Sequence, residues 1–275
     1  MVHRPLPFAI LVAAAIVLAV PATAAISDWS NGAKARMRVL AAGVGDDGKL
    51  SAAIEITLPA GWETYWRFPG DAGIPPTLDF TASRNLGAVE VAFPVPKRKN
   101  DGFLVTNIYT NRVVLPVSAT VPDPKAAVDL AVSVDLGVCQ IVCIPDHVQA
   151  RLLVPTGKTD AVAAKTIADA RALLPGMPQP GVLAVDGVTR SGGTDKRPQF
   201  QVAITAPDAG KATVFVETPS DWFPDAPALI SQSGNKAVFG VNVDRLTAKT
   251  ALEGATFRVT IAAGNRSVEQ TIPTK

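Results

Sequence analysis

Several things are scarce in this chain, and each scarcity narrows what it can be. Beyond about residue 20, no apolar stretch reaches the roughly 20 residues that span a bilayer, so the bulk of the chain reads as soluble despite a mean hydropathy of +0.24. Charge is nearly balanced, with 26 Lys and Arg against 24 Asp and Glu. No basic stripe is interleaved with aromatics, which argues against nucleic acid as a partner. Histidine is confined to His3 and His147, and cysteine to Cys139 and Cys143. Beyond residue 147 the chain has neither, so any chemistry of thiol or imidazole belongs to the part up to it.

The one long apolar run stands at the start. His3 and Arg4 precede Phe8 to Val20, and Pro21 is followed by Ala22-Thr23-Ala24. A basic start, a short apolar stretch and a small-residue site make a secretory signal peptide, expected to span residues 1–25. Export implies a compartment that permits disulfides, and the periplasm is the expected one. About 250 residues then remain, enough for one large or two modest domains with real cores. A chain of that size does not need a disulfide to fold.

The texture is all-β. Pro (23) and Gly (21) punctuate short runs rich in Val, Ile and Thr. Leu50, Ala52, Ile54, Ile56 and Leu58 alternate along Lys49 to Leu58. Val128, Leu130, Val132, Val134 and Leu136 alternate with Asp129, Ser133 and Asp135, and Val148, Ala150, Leu152 and Val154 alternate with Gln149 and Arg151. Period-two alternation predicts strands with one buried and one wet face. One stretch, Asp160 to Leu174, is Ala-rich and free of Gly and Pro; Asp160 can cap it as a helix and Pro175 follows its end. A punctuated linker, Pro175 to Gly181, comes next. Strands are expected again at Gln199–Ile204, Ala212–Glu217, Lys236–Val243, Thr256–Ala262 and Ser267–Ile272. The expected architecture is two immunoglobulin-like β-sandwich domains, 26–157 and 182–275, joined by a short helix and Pro-rich linker over 158–181. The second is read as a structural or docking domain.

Cys139 and Cys143 lie in Gly-Val-Cys-Gln-Ile-Val-Cys-Ile-Pro. In an exported protein a lone pair is first of all a disulfide. A purely structural clip is a poor use of it, because closing so small a loop contributes only about 2 kcal/mol on chain entropy, and tight bridges are the more easily reduced ones. The pair is therefore read as redox-active, with a structural clip and a metal site as alternatives. Gly137 is expected to permit a bend or bulge after Leu136. The segment between the cysteines is the turn of an antiparallel pair of strands. Counting by twos from Gln149 and Arg151 puts Cys143 and His147 on the wet side, so Cys143 is the accessible sulfur. His147 could stabilise a thiolate or be a plain surface residue, and Asp146 would oppose a thiolate if it faced the same way. The metal alternative is Cu(I) held by Cys139, Cys143 and His147, spaced C-x₃-C-x₃-H; no fourth ligand for zinc is evident.

The other distinctive stretch is Gly61-Trp-Glu-Thr-Tyr-Trp-Arg-Phe-Pro-Gly-Asp-Ala-Gly-Ile-Pro-Pro76. By itself it reads as an ordered loop anchored by Trp62, Tyr65 and Trp66, or as a flap near a site. Taken with Tyr109, Val113-Val-Leu-Pro-Val117 and Cys-x₃-Cys-Ile-Pro, it resembles the amino-terminal periplasmic domain of the disulfide reductase DsbD, and more closely the ScsB-like branch linked to copper tolerance. The resemblance runs from about Trp29 to Pro155. It implies an immunoglobulin-like sandwich with a redox-active cysteine pair and no prosthetic group, in which Cys143 attacks a partner disulfide and Cys139 resolves the mixed disulfide. It implies thioredoxin-fold partners in the periplasm. It also implies a cap loop bearing an aromatic ring, for which Tyr65 to Gly73 is the candidate, with Phe68 as the expected shield and Tyr65 and Asp71 as further modulators. The sequence stops at Lys275 without a membrane conduit, so a membrane-embedded electron donor is expected on another chain.

Overall fold

The computed structural model describes residues 25–156 and 160–275. The expected signal peptide, apart from Ala25, lies outside the described residues. Among those described, no helix is long and apolar enough to cross a membrane. The architecture is all-β, as the alternation implies.

The first half is a sandwich of two sheets. One sheet orders its strands Ser30–Asn31, Arg36–Val44, Lys49–Thr57, Arg112–Thr120 and Val89–Val91. The other runs Cys143–Val154, Val128–Cys139, Glu63–Gly70, Val105–Thr110 and Lys97–Asn100, with the short Thr77–Asp79 strand also paired to Val128–Cys139. The inner faces meet in one core that includes Met37, Val39, Ile54, Ile56, Trp66, Leu115, Leu130, Val134 and Val138. Burial of such side chains contributes roughly 1.5–3 kcal/mol each against the entropy of ordering the chain.

Lys49–Thr57 departs from the one-wet-face expectation: Ala52, Ala53, Ile54 and Ile56 are all buried. The helix supplies the second cover. It spans Ala161–Arg171, its first turn capped by the Asp160 carboxylate accepting from Ala163 N at 2.8 Å. Its buried residues Ala163, Ile167 and Ala170 pack on Leu40, Ala53 and Val114 of the first sheet. The helix thus docks on the first sandwich as well as connecting onward. Glu55, on the same covered strand, is buried but ion-paired with Arg38 at 2.6 Å and Arg112 at 2.5 Å. Burial alone would raise its pKa; the bonds and charge of Arg112 and Arg38 outweigh it and hold it below the usual value.

The second half forms a five-stranded sheet built around Ala184–Gly193, Pro198–Thr205 and Lys236–Asp244, facing a three-stranded sheet of Thr213–Glu217, Thr256–Ala263 and Arg266–Pro273. Its core holds Phe200, Trp222 and Phe257 in edge-to-face contact. The linker is not free: Gly176 N donates to Ser267 O at 2.9 Å and Gly176 O accepts from Glu269 N at 3.2 Å.

The halves meet along a seam at Glu63–Gly70. Arg67 donates to Glu217 at 2.9 and 2.7 Å and also pairs with Glu269. Burial would lower the pKa of Arg67, but Glu217 and then Glu269 raise it above its ordinary value. Trp66 meets Phe215 edge-on at 5.4 Å, and Arg98 Nη2 donates to Val214 O at 2.6 Å.

Candidate functional site

The hairpin that carries the cysteines is regular to its tip. Val128–Cys139 and Cys143–Val154 pair without a break in register, from Val128 opposite Val154 to Cys139 opposite Cys143. Directly opposed residues project to the same face, so the register alone places the two Cβ atoms together. The disulfide Cys139–Cys143 closes the tip, with S–S 2.03 Å and Cα–Cα 4.1 Å. The expected bend or bulge at Gly137 is absent, since Gly137 pairs with Pro145 in sequence with its neighbours. Gly137 instead makes space. A Cβ there would lie 2.9 Å from Ile74 Cβ and 3.3 Å from Tyr65 Cδ2.

The aromatic stretch is a strand where a loop was expected. Glu63–Gly70 lies in mid-sheet, with Thr64 opposite Val138 and Tyr109, and Glu63 opposite Cys139 and Thr110. Adjacent strand residues face opposite ways. Trp66 therefore enters the core, fully buried, while Tyr65 lies on the outer face in a small cluster with Ile108 and Cys139. The Tyr65 hydroxyl sits 2.9 Å from Cys139 Sγ and 3.3 Å from Cys143 Sγ.

The following segment, 71–76, then folds back over this ring. Gly73 has φ +117°, and a Cβ on it would stand 2.3 Å from Tyr65 Cε1. Gly137 N meets Ile74 O at 3.4 Å. Tyr65 is thus held between two glycines, one in the covering segment and one in the cysteine strand. Both positions need glycine for close approach, and Gly73 needs it for its backbone as well.

The two cysteines are unequally exposed. Cys139 is 3 % exposed, whereas Cys143 is exposed. Between them Ile141 and Val142 project from the tip at 96 % and 67 % exposure. Beside Cys139 on the next strand, Glu63 is buried and receives Lys99 Nζ at 2.7 Å. That hydrogen bond raises the Lys99 pKa, against the opposing effect of desolvation. Sequence reasoning missed both residues. Lys99 is distant in sequence, and the pairing of Lys97–Asn100 with Val105–Thr110 and of that strand with Glu63–Gly70 brings it to Glu63.

Other expected site residues lie elsewhere. His147 is on the wet side, and its Nδ1 is 2.7 Å from Asp135 Oδ1. It is four residues along an extended strand from Cys143, about 13 Å at ~3.3 Å per residue. The set Cys139, Cys143 and His147 is therefore not assembled, since a C-x₃-C-x₃-H spacing converges on a helix and separates on a strand. Among the described residues no group of three or more His, Cys, Asp or Glu is placed to hold a metal ion. Asp146 faces the opposite way from the sulfurs. It is buried and accepts from Ala33, Lys34 and Ala35 N at 2.7, 2.8 and 2.7 Å. Desolvation would raise its pKa, but these amides, with His147 N, lower it.

Phe68 is not the ring against the sulfurs. It packs on the core of the first sandwich, its carbonyl accepts from Asn107 Nδ2 at 3.0 Å, and it borders the seam with Val216 and Pro224. The bulge in pairing between Tyr65 and Gly70 carries Phe68 away. Asp71 accepts from Val105 N at 2.7 Å, tying the start of the covering segment to the neighbouring strand.

The fold and the site define a β-sandwich carrying a closely spaced cysteine pair at a hairpin tip, with one cysteine buried and the other exposed. Residues 34–155 match the family model of the N-terminal domain of the thiol:disulfide interchange protein DsbD. The resemblance read from the sequence motifs holds over that segment. Among solved structures, the N-terminal periplasmic domain of ScsB from Proteus mirabilis superposes with a TM-score of 0.69 at 21 % identity, covering 90 % of this chain and 98 % of that one. That likeness establishes a shared fold extending through both halves. No curated protein sequence matches the chain.

Proposed function

We propose that this chain is a periplasmic thiol–disulfide exchange protein that passes reducing equivalents through Cys139 and Cys143 to thioredoxin-fold partners. The observation that carries this reading is the asymmetry of the pair inside the segment that matches the DsbD N-terminal family. An exposed Cys143 can be attacked by, or attack, a sulfur of another protein; a buried Cys139 cannot be reached except by Cys143. In the reduced protein the Cys143 thiolate attacks a partner disulfide, forming a mixed disulfide and releasing one partner thiolate. Cys139 thiolate then attacks Cys143 Sγ, releasing the second partner thiolate and closing the Cys139–Cys143 bond. Two electrons pass to the partner and no prosthetic group takes part. Reducing equivalents return from a membrane-embedded donor.

The apolar tip at Ile141 and Val142 and the covering segment over Tyr65 frame the exposed sulfur and restrict which thiols approach it. Trapping tests the reading. Cys139→Ala, which cannot resolve, should accumulate a covalent adduct with a thioredoxin-fold protein in periplasmic extract, identified by mass spectrometry. Cys143→Ala should form none and should fail to reduce a partner. A Cys143→Ala protein that reduces partners at the parent rate overturns the assignment.

A further inference from the structure

We propose that the Tyr65 hydroxyl is a catalytic hydrogen-bond donor that stabilises negative charge on Cys139 Sγ as the Cys139–Cys143 bond breaks or forms. The inference deepens the exchange reading above and rests on it. Its grounds are geometric. Cys139 is 3 % exposed, so a thiolate formed there gains little from water, and an unsolvated anion is costly. The Tyr65 oxygen stands 2.9 Å from that sulfur and 3.3 Å from Cys143 Sγ. Among the described residues no other side chain hydrogen-bonds to either. A neutral donor already in place strengthens its bond as charge develops on the acceptor and needs no reorganisation during the step.

The surroundings favour a donor that keeps its proton. Burial first, and then the charge of Glu63, raise the Tyr65 pKa, with Lys99 opposing. Glu63 and Lys99 are the charged groups beside the ring, and they are paired with each other at 2.7 Å. The covering segment brings Asp71, engaged by Val105 N. The cysteine hairpin brings Asp135 and His147, which pair with each other four positions from the disulfide. The ring cannot easily swing away, because Gly73 and Gly137 close on its two sides.

The step balances without proton transfer. A thiolate of the donor protein attacks the exposed Cys143 Sγ. A bond forms between those sulfurs, the Cys139–Cys143 bond breaks, and its electron pair resides on Cys139 Sγ under the Tyr65 hydrogen bond. In the opposite direction the same contact holds Cys139 as thiolate, ready to attack Cys143 Sγ and resolve the mixed disulfide.

Tyr65→Phe keeps the ring between its glycines and removes only the hydroxyl. Reduction of the purified full chain by dithiothreitol under pseudo-first-order conditions measures the step without any protein partner. A hydrogen bond to a charged group is worth about 1.5–3 kcal/mol, so the variant should be reduced roughly 10–100-fold more slowly at neutral pH. Thiolate ultraviolet absorbance in Cys143→Ala, with and without Tyr65→Phe, reads Cys139 directly. Its titration should move to higher pH when the hydroxyl is lost, a shift that altered packing alone does not require. Matching circular dichroism and thermal midpoints confirm the fold. Equal reduction rates and equal titrations with and without the hydroxyl overturn the proposal and leave the exchange reading standing. A parent disulfide that resists dithiothreitol altogether overturns the exchange reading first.

Discussion

The two sandwiches are made of the same material and differ in what they bury. The second encloses Phe200, Trp222, Phe257 and aliphatic neighbours, and its buried polar residues are Thr205 and Thr260. The first also buries Glu55, Glu63 and Asp146, together with Thr64 and Asn107. Each carboxylate there has a partner: two arginines for Glu55, Lys99 for Glu63, and three loop amides for Asp146. Only Glu63 of these lies on the disulfide face; Glu55 anchors the other sheet and Asp146 the inward side of the cysteine hairpin, while the second sandwich packs as an ordinary core. The contrast also explains the seam: Glu217 and Glu269 reach Arg67, two residues beyond Tyr65, so the plainer half braces the strand that serves the sulfurs.

The sharpest way to break this contrast is at Asp146. Asp146→Ala leaves the amides of Ala33, Lys34 and Ala35 without their acceptor, and a loss of about 3 kcal/mol is expected, read by urea unfolding. Acid should act on the same group. Its folded pKa is lowered, so its contribution is present above the unfolded value near 4 and is lost as pH falls through the folded one. Glu55 follows the same sign. Urea midpoints below about pH 4 should therefore fall more for probes in the first sandwich than in the second. Equal loss in both halves would dissolve the comparison.

Gly73→Ala comes next. The added Cβ meets the Tyr65 ring at a backbone angle disfavoured for L residues. A loss of about 2 kcal/mol is expected, together with faster alkylation of the reduced pair by iodoacetamide as the ring is displaced. A smaller effect is expected from Glu217→Gln, which keeps a hydrogen bond to Arg67 while removing the charge. About 1 kcal/mol should be lost, with dithiothreitol reduction of the disulfide unchanged. A large change in that rate would mean the seam controls the site and does more than brace it. His147→Ala is expected to be nearly silent: its exposed pairing with Asp135 is worth at most about 0.5 kcal/mol, and the thiol titration should not move. A clear shift in that titration would restore the imidazole to the site.

Much of this was legible from residue order, and the misses have a common cause. Alternation marks strands at Val128 to Leu136 and His147 to Val154, because one face of each meets a core, and the structure extends both to the cysteines. The helix was marked by its Asp160 cap and its freedom from Gly and Pro. The stretch from Gly61 to Pro76 was misread because it holds apolar residues on both faces. Trp66 belongs to the core and Tyr65 to a covered outer face, so no wet side remains to show a period. The shield role at Phe68 is implied only by the family resemblance, and a local slip in register sends that ring to the seam. The C-x₃-C-x₃-H spacing illustrates the same point, since spacing has meaning only once helix or strand is known.

The sequence by itself determined the all-β character, the proximity of the two cysteines and the wet-side parity of Cys143, since these follow from local periodicity and a short chain separation; that Cys139, on the same face, is buried comes from the Tyr65 strand packed beside it. Only the tertiary structure decided what surrounds them. That Tyr65 reaches both sulfurs, that Gly73 and Gly137 flank its ring, and that Glu63 and Lys99 stand alongside depend on strands distant in sequence finding one register. Register is fixed by the burial of whole faces, a property of the assembled sheets and not of any single segment.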